Sequence, residues 1–208
     1  MQPFKLFLPE SFEEAIRLMK EHSAKPISGG TAVTTLIKER IFQPTAIVNL
    51  RKLEKDHSYI REIDGEIQIG ALTTLRTIET SEIVKRDLPV VADCISKIAS
   101  IRIRNVATIG GNLAHADPDL DLPPVLAGLD AHIDIIGESG ERSRNIKEFI
   151  QIVDINSKIL WIETSRRRLK NRNFRDNIIG SDLSFGRPEC VKIARKWTVN
   201  LVSSIQTA

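Results

Sequence analysis

The sequence predicts an α+β fold, and three features of its pattern favour that class. Apolar residues recur three and four positions apart in several stretches, the period of an amphipathic helix. Short apolar strands lie between these stretches, and one pair is joined by Asp64-Gly65, a dipeptide typical of an antiparallel hairpin. Because no regular β-α-β repeat is present, an α+β arrangement is predicted rather than a doubly wound parallel sheet.

The first predicted helix begins after Ser11. Ser11 and Glu14 have the spacing of a capping box, in which the two residues satisfy backbone N–H groups at the helix start. The residues that follow form one apolar face at helical spacing: Phe12, Ala15, Ile16 and Met19. That face is predicted to belong to the core.

A strand, a glycine turn and a helix are predicted next. Pro26-Ile27-Ser28 gives a short strand signal, Gly29-Gly30-Thr31 gives the turn, and residues 32–38 follow as a helix. Ala46 to Leu50 is predicted to be a buried strand.

The middle of the chain combines one hairpin with several helices. The predicted elements are a hairpin of Tyr59 to Ile63 with Glu66 to Leu72, a helix capped by Thr74 and running through Ile78, helices over Leu88 to Ser100 and Pro123 to Leu129, and a strand over Ala131 to Ile136 that turns through Glu138-Ser139-Gly140. From about Phe149 the chain becomes richer in Arg, Asn and Lys, so a boundary is predicted there.

Composition narrows the classes of function. The chain has 208 residues, 41% of them hydrophobic and 27% charged, with a net charge of +3, a balance that favours neither a nucleic-acid nor a membrane-surface partner. Its two cysteines, Cys94 and Cys190, lie far apart and form no disulfide, zinc or iron–sulfur motif. No membrane span is predicted, and a cytoplasmic, reducing location is expected.

Two glycine turns are the main candidates for a binding site. They are Ile27-Ser28-Gly29-Gly30-Thr31 and Thr108-Ile109-Gly110-Gly111-Asn112. Consecutive glycines let bare backbone N–H groups approach a ligand closely, and the first turn leads into a predicted helix whose N-terminus favours an anion. Such turns suit a pyrophosphate, although a single Gly-Gly before a helix is more often only an ordinary turn. Neither a Walker A loop nor a GxGxxG fingerprint is present.

A metal site is the alternative for the polar loop after the second turn. His115, Asp117, Asp119 and Asp121 alternate along it, and carboxylates with imidazole suit hard or borderline cations. The loop does not match a calcium-binding EF-hand, because the position where that motif needs a glycine is Leu120 if the motif starts at His115 and Leu122 if it starts at Asp117. The neighbouring prolines indicate a stiff loop that enters a helix. No metal ligand and no catalytic residue is therefore predicted.

Taken together, the motifs resemble the FAD-binding medium subunits of the molybdenum hydroxylases, the carbon monoxide dehydrogenase and xanthine dehydrogenase type. The resemblance covers roughly residues 1 to 150. The matching segments, in chain order, are Ile27-Ser28-Gly29-Gly30-Thr31, Ile69-Gly70-Ala71-Leu72-Thr73-Thr74-Leu75, residues 98–113 with Thr108-Ile109-Gly110-Gly111-Asn112, and residues 116–124.

The resemblance implies a two-lobed FAD-binding domain of the vanillyl-alcohol-oxidase (PCMH) type, with FAD as the cofactor. The residues implied in cofactor binding are Ile27, Ser28, Gly29, Gly30, Thr31 and Ala32 at the pyrophosphate, Thr108, Gly110, Gly111 and Asn112 completing that cradle, Ala99 and Ser100 near the flavin ring, and Asp121 at the ribityl or ribose hydroxyls. Some relatives of the wider fold have a histidine where this chain has Thr31, so noncovalent binding is expected.

The resemblance also implies partners and a function. An iron–sulfur small subunit would pass electrons to the flavin from a molybdopterin large subunit, and the flavin would deliver them to an external acceptor. The implied lobes are residues 1–55 and 56–150, and residues 151–208 match the family poorly, as a truncated or atypical C-terminal segment. Two alternatives stay open: a free-standing flavin oxidoreductase, and a noncatalytic remnant that binds FAD weakly.

Overall fold

A computed structural model of the chain describes residues 2–117, 119–137 and 140–152. The strands are β1 (Lys5–Phe7), β2 (Lys25–Ile27), β3 (Ala46–Asn49), β4 (Ile60–Ile63), β5 (Glu66–Ile69), β6 (His132–Gly137) and β7 (Gly140–Asn145). The helices are α1 (Phe12–His22), α2 (Thr31–Lys38), α3 (Glu54–His57), α4 (Leu75–Thr80), α5 (Glu82–Asp87), α6 (Pro89–Lys97), α7 (Ile101–Arg104), α8 (Ile109–His115), α9 (Leu122–Gly128) and α10 (Ile146–Ile152), and a 3-10 helix covers Leu50–Leu53. This mixture confirms the predicted α+β class.

The first three strands form a parallel sheet in the order β1-β3-β2. Parallel neighbours need crossover connections, and α1 and α2 provide them. The sequence pattern emphasised antiparallel hairpins and did not predict this parallel pairing. Its strands are only three or four residues long, too short to show a period.

Helix α1 begins as predicted, with one difference in its cap. The Ser11 Oγ accepts a hydrogen bond from the Glu14 N–H at 3.1 Å. The Glu14 carboxylate accepts from the N–H of Glu10 at 2.7 Å, one residue before the partner that a capping box uses. Phe12, Ala15 and Met19 are buried beneath the helix, as the apolar spacing predicted.

Two antiparallel hairpins follow the parallel sheet. β4 pairs with β5 through Asp64 and Gly65, which have φ values of 53° and 73°. Two successive left-handed residues match the twist of a two-residue hairpin, so the predicted turn is confirmed. β6 pairs with β7, and the predicted turn at residues 138 and 139 lies outside the described residues.

The core behind the second glycine turn is assembled from helices and strands of the middle of the chain. The largest fully buried side chains are Ile69, Leu75, Ile78, Ile95, Ile109, Leu122, Leu126, Ile133, Ile135 and Ile146. Ile109 and Leu113 anchor one face of α8 in this core, so the start of that helix has a fixed position.

One predicted helix was wrong at its end. The apolar period favoured a helix from Leu88 to Ser100, but α6 stops at Lys97. Ile98 is extended, Ala99 has a φ of 45°, and Ser100 caps the next helix, α7. The predicted C-terminal segment lies outside the described residues, except for the end of α10.

Candidate functional site

The two glycine turns meet through a pair of hydroxyl groups. Ser28 Oγ and Thr108 Oγ1 lie 2.8 Å apart, although the residues are 80 positions apart in the chain. Thr108 Oγ1 also accepts the N–H of Gly111 at 3.1 Å and so caps α8. The segment after β2 and the start of α8 are thereby joined, and the hydroxyl pair of Ser28 and Thr108 is here called the turn clasp.

Gly29 packs closely against the backbone that immediately precedes the second turn. A Cβ atom at this position would lie 2.0 Å from the carbonyl oxygen of Val106 and 2.9 Å from Cα of Ala107. No side chain fits in that space, so backbone packs directly against backbone. Gly30 has a φ of 72°, a left-handed value that glycine adopts without steric cost. Each glycine of the first turn therefore meets a different geometric requirement.

The start of helix α2 carries no capping side chain. Its N-cap is Gly30, and no side chain accepts a hydrogen bond there, whereas Ser100 and Thr108 cap α7 and α8. The first N–H groups of a helix have no partner within the helix, and its dipole favours negative charge at this end. Thr31 and Ala32 are the first two residues of α2. This helix end, next to the turn clasp, is suited to an anionic group such as a phosphate.

The second glycine turn is held by a backbone segment that the sequence did not assign to the site. Gly110 N donates to Ala71 O at 2.9 Å, and Ile109 N donates to Thr73 O at 3.0 Å. Thr74 forms an isolated antiparallel bridge with Thr108. The signal was present, because residues 69–75 are among the motifs that carry the family resemblance.

Asn112 offers a buried acceptor beside the second turn. Its Oδ1 is buried and has no hydrogen-bond partner among the described residues. Buried polar atoms are rarely left unpaired, so a hydroxyl donor from a ligand would satisfy this oxygen. Gly111, the preceding residue, is exposed, and a Cβ there would lie 2.9 Å from Ser28 Oγ. The pair thus combines an open surface with an unsatisfied polar atom.

The other predicted site residues lie on two further elements. Ala99 and Ser100 are exposed in the turn between α6 and α7. Asp121 is exposed at the start of α9, and in the described part of the chain no hydrogen bond or ion pair joins it to either glycine turn. Burial, together with the nearby charge of Asp121, raises the pKa of the Cys94 thiol to about 12. Asp121 therefore lies near Cys94 of α6.

Among residues 2–117, 119–137 and 140–152, no group of three possible metal ligands comes together. Of the residues considered for a metal, His115 and Asp117 lie close together, with His115 Nε2 3.7 Å from Asp117 Oδ2. None of the helices described for this chain has the length and apolar character that crossing a membrane requires.

Thr108→Val is expected to destabilise the protein. Valine has nearly the same shape but loses the hydroxyl that caps α8 and binds Ser28, so the free energy of unfolding should fall by about 1–2 kcal/mol. Urea unfolding of the full chain measures this change. Thr80→Val is the control, because the exposed Thr80 hydroxyl donates only to carbonyls of its own helix. Equal stability of the two variants would contradict a structural role for the turn clasp.

Comparisons with known proteins identify the family of the chain. Residues 2–158 match the family described as the FAD binding domain in molybdopterin dehydrogenase. Subunit alpha of the 6-hydroxypseudooxynicotine dehydrogenase complex of Paenarthrobacter nicotinovorans is 36% identical over 149 residues, 71% of this chain and 50% of that protein. The glyceraldehyde dehydrogenase medium chain of Sulfolobus acidocaldarius is 31% identical over 149 residues, 71% of this chain and 53% of that protein. The chain spans about half the length of these relatives.

A solved structure gives the same result for the fold. The reconstituted CO dehydrogenase from Oligotropha carboxidovorans matches with a TM-score of 0.67 at 31% identity, over 70% of this chain and 51% of that chain. This confirms the fold type that the motifs implied. The chain belongs to the family of FAD-binding domains of molybdopterin dehydrogenases, as the resemblance of its motifs predicted.

Proposed function

We propose that this chain binds FAD noncovalently and is the electron-transfer subunit of a molybdenum-containing oxidoreductase complex. The observation that carries the proposal is the joining of the two glycine turns beside the uncapped start of α2. Backbone N–H groups at such a helix end bind phosphate oxygens, and the absence of side chains at the glycines lets a pyrophosphate approach them.

Different parts of the site are proposed to hold different parts of FAD. Residues 27–32 would bind the pyrophosphate from one lobe, residues 1–55, and Thr108 with residues 110–112 would bind it from the other lobe, residues 56–150. The unpaired Oδ1 of Asn112 supports this assignment, because it can accept a hydroxyl of the ribityl chain. We place Ala99 and Ser100 beside the flavin ring. Asp121 would accept a hydrogen bond from a sugar hydroxyl, and its exposed position leaves the carboxylate open to a ligand.

Bound FAD would supply the capacity to accept and donate electrons, and the chain would supply binding and orientation. Residue 31 is a threonine, which offers no imidazole for covalent attachment, and this supports noncovalent binding. The chain's own groups supply no acid, base or nucleophile in this proposal. Its contribution to the reaction is therefore the geometry in which the flavin is held.

The partners are inferred from the relatives. One is named as a subunit of a dehydrogenase complex and another as a medium chain. We infer an iron–sulfur small subunit that delivers electrons to this chain, a molybdopterin large subunit that oxidises the substrate, and an external acceptor that takes the electrons. A cytoplasmic location is part of the proposal, and the free thiol of Cys94 is consistent with a reducing compartment.

The visible spectrum of the purified full chain tests the proposal. We expect a yellow protein with flavin absorption bands, from which denaturation releases unmodified FAD, because no covalent bond retains it. Colourless protein that takes up no added FAD would contradict the proposal and favour a noncatalytic remnant of the fold. Copurification with an iron–sulfur and a molybdenum subunit is expected in the source cell. Flavin-loaded protein that turns over a substrate alone would instead indicate a free-standing oxidoreductase.

A further inference from the structure

Arg104 is a buried cation that forms hydrogen bonds with the turn between α6 and α7. The residue is only 8% exposed. Its Nη1 donates to the carbonyl oxygens of Ile98 and Ala99 at 2.8 and 3.0 Å, and its Nε donates to Glu79 Oε2 at 2.9 Å. The planar guanidinium thus binds two successive carbonyls and a carboxylate at the same time, which an ammonium group on a flexible stem does poorly.

The turn bound by Arg104 contains a backbone conformation that is unfavourable for alanine. Ala99 has a φ of 45°, and in this left-handed region the Cβ of an L-residue crowds the following carbonyl. An unfavourable conformation of this kind persists when contacts with the surrounding structure hold it in place. Here the two bonds from Arg104 fix the carbonyls on both sides of the Ala99 N–Cα–C unit. Ser100 follows, and its Oγ accepts from the Ile103 N–H at 3.4 Å.

Glu79 links Arg104 to helix α4. Glu79 lies on α4, its side chain is 13% exposed, and its Oε1 also contacts Arg76 Nη1 at 3.0 Å. Desolvation alone would raise the pKa of Glu79, but the hydrogen bonds and charges of Arg76 and Arg104 outweigh it and the pKa is lowered. The carboxylate is therefore ionised at neutral pH. The same helix is held at its start by the bond from Leu75 N to Ala107 O, at 2.8 Å.

We infer that Arg104 is a positioning residue, which holds Ala99 and Ser100 in the conformation that orients the flavin ring of FAD. The inference rests on the proposed function, which places those two residues beside the ring. Arg104 is directed toward the protein interior and acts through the turn, without touching the cofactor. The pyrophosphate site depends on other residues. The affinity for FAD and the orientation of the flavin ring are therefore controlled by different parts of the chain.

Arg104→Met in the full chain, reconstituted with FAD, tests this separation. We expect the variant to retain most of its FAD, because the turn clasp and the start of α2 are unchanged. It should lose the larger part of the visible circular dichroism of the bound flavin, and its flavin reduction potential should shift toward that of free FAD. Arg76→Met is the matched control: Arg76 pairs with the same carboxylate but bonds to neither carbonyl of the turn, so both flavin signals should stay as in the parent.

A second substitution probes the turn directly. Ala99→Gly in the Arg104→Met background should recover part of the dichroism, because glycine adopts a positive φ without steric cost. Arg104→Lys keeps a positive charge beside Glu79 and so keeps the protein folded if methionine does not. A lysine ammonium cannot reproduce the planar set of hydrogen bonds that the guanidinium makes. The lysine variant should therefore also lose flavin dichroism, but to a smaller extent than the methionine variant.

The possible results are distinct. Parental dichroism and potential at full FAD content, in either Arg104 variant, would overturn the positioning role and leave the proposed function intact. A parent chain that takes up no FAD would overturn both. Loss of FAD in proportion to the loss of dichroism would assign Arg104 a purely structural role and so overturn the inference as well.

Discussion

Gly29→Ala should release FAD and destabilise the fold, although it adds only one methyl group. The new Cβ would lie 2.0 Å from the Val106 carbonyl oxygen and 2.7 Å from its carbonyl carbon. These are backbone atoms, so no rotation of a side chain relieves the contact, and the two turns must separate. Overpacking of this kind costs about 1–3 kcal/mol of the free energy of unfolding. The Ser28–Thr108 bond is expected to break as the turns move apart.

Two measurements on the same variant check this result. Flavin absorbance after gel filtration gives the FAD content, and urea unfolding of the FAD-free chain gives the stability. Gly128→Ala is the matched control, because a Cβ there meets no atom within 4 Å and the residue lies in helix α9. A Gly29→Ala protein with parental stability and flavin content would show that the turns do not pack as described.

Gly111→Val should abolish FAD retention with little change in stability. Gly111 is exposed on α8, and a Cβ there would meet Ser28 Oγ at 2.9 Å and Thr108 Oγ1 at 3.0 Å. The branched side chain would occupy the surface where we place the phosphates and press on the turn clasp. Within the helix itself, valine is a somewhat better residue than glycine, which offsets part of the strain. The free energy of unfolding should therefore change by less than about 1 kcal/mol.

Equilibrium dialysis with FAD, together with urea unfolding of the FAD-free protein, separates the two effects. Gly128→Val adds the same side chain to another helix, in open space, and should bind FAD like the parent. Unchanged FAD affinity in Gly111→Val would remove the second glycine turn from the site. The two glycine variants thus distinguish a contact between distant parts of the chain from a surface that we propose binds the ligand.

Local sequence signals predicted most helices and hairpins because the interactions behind them are local. Ser11 and Thr74 each accept a hydrogen bond from the N–H three residues ahead, and Asp64-Gly65 closes its own hairpin. The end of α6 was missed for the opposite reason. The apolar period continues past Lys97, whereas the turn at Ala99 depends on Arg104, whose charge is balanced by Glu79, 25 residues before it. A periodicity argument contains no information about that ion pair.

The segments of the candidate site could be predicted from the sequence, but the contacts between them could not. The glycine turns stand out in the sequence, and the family motifs order them along the chain. Their joining through Ser28 and Thr108 is a tertiary contact, and so is the support of Gly110 by Ala71. Asp121 was assigned only through the resemblance, and its place at the site stays a prediction.

The separation of Ser28 from Thr108 also has a kinetic consequence. Contacts between residues 80 positions apart form late in folding, because the loop entropy must be lost before the contact contributes any energy. The site is therefore expected to be completed only when residues 28 and 108 have come together. A ligand that binds only the completed state draws the folding equilibrium toward it by mass action. Binding of the cofactor is thus expected to stabilise the folded chain as well as to equip it for electron transfer.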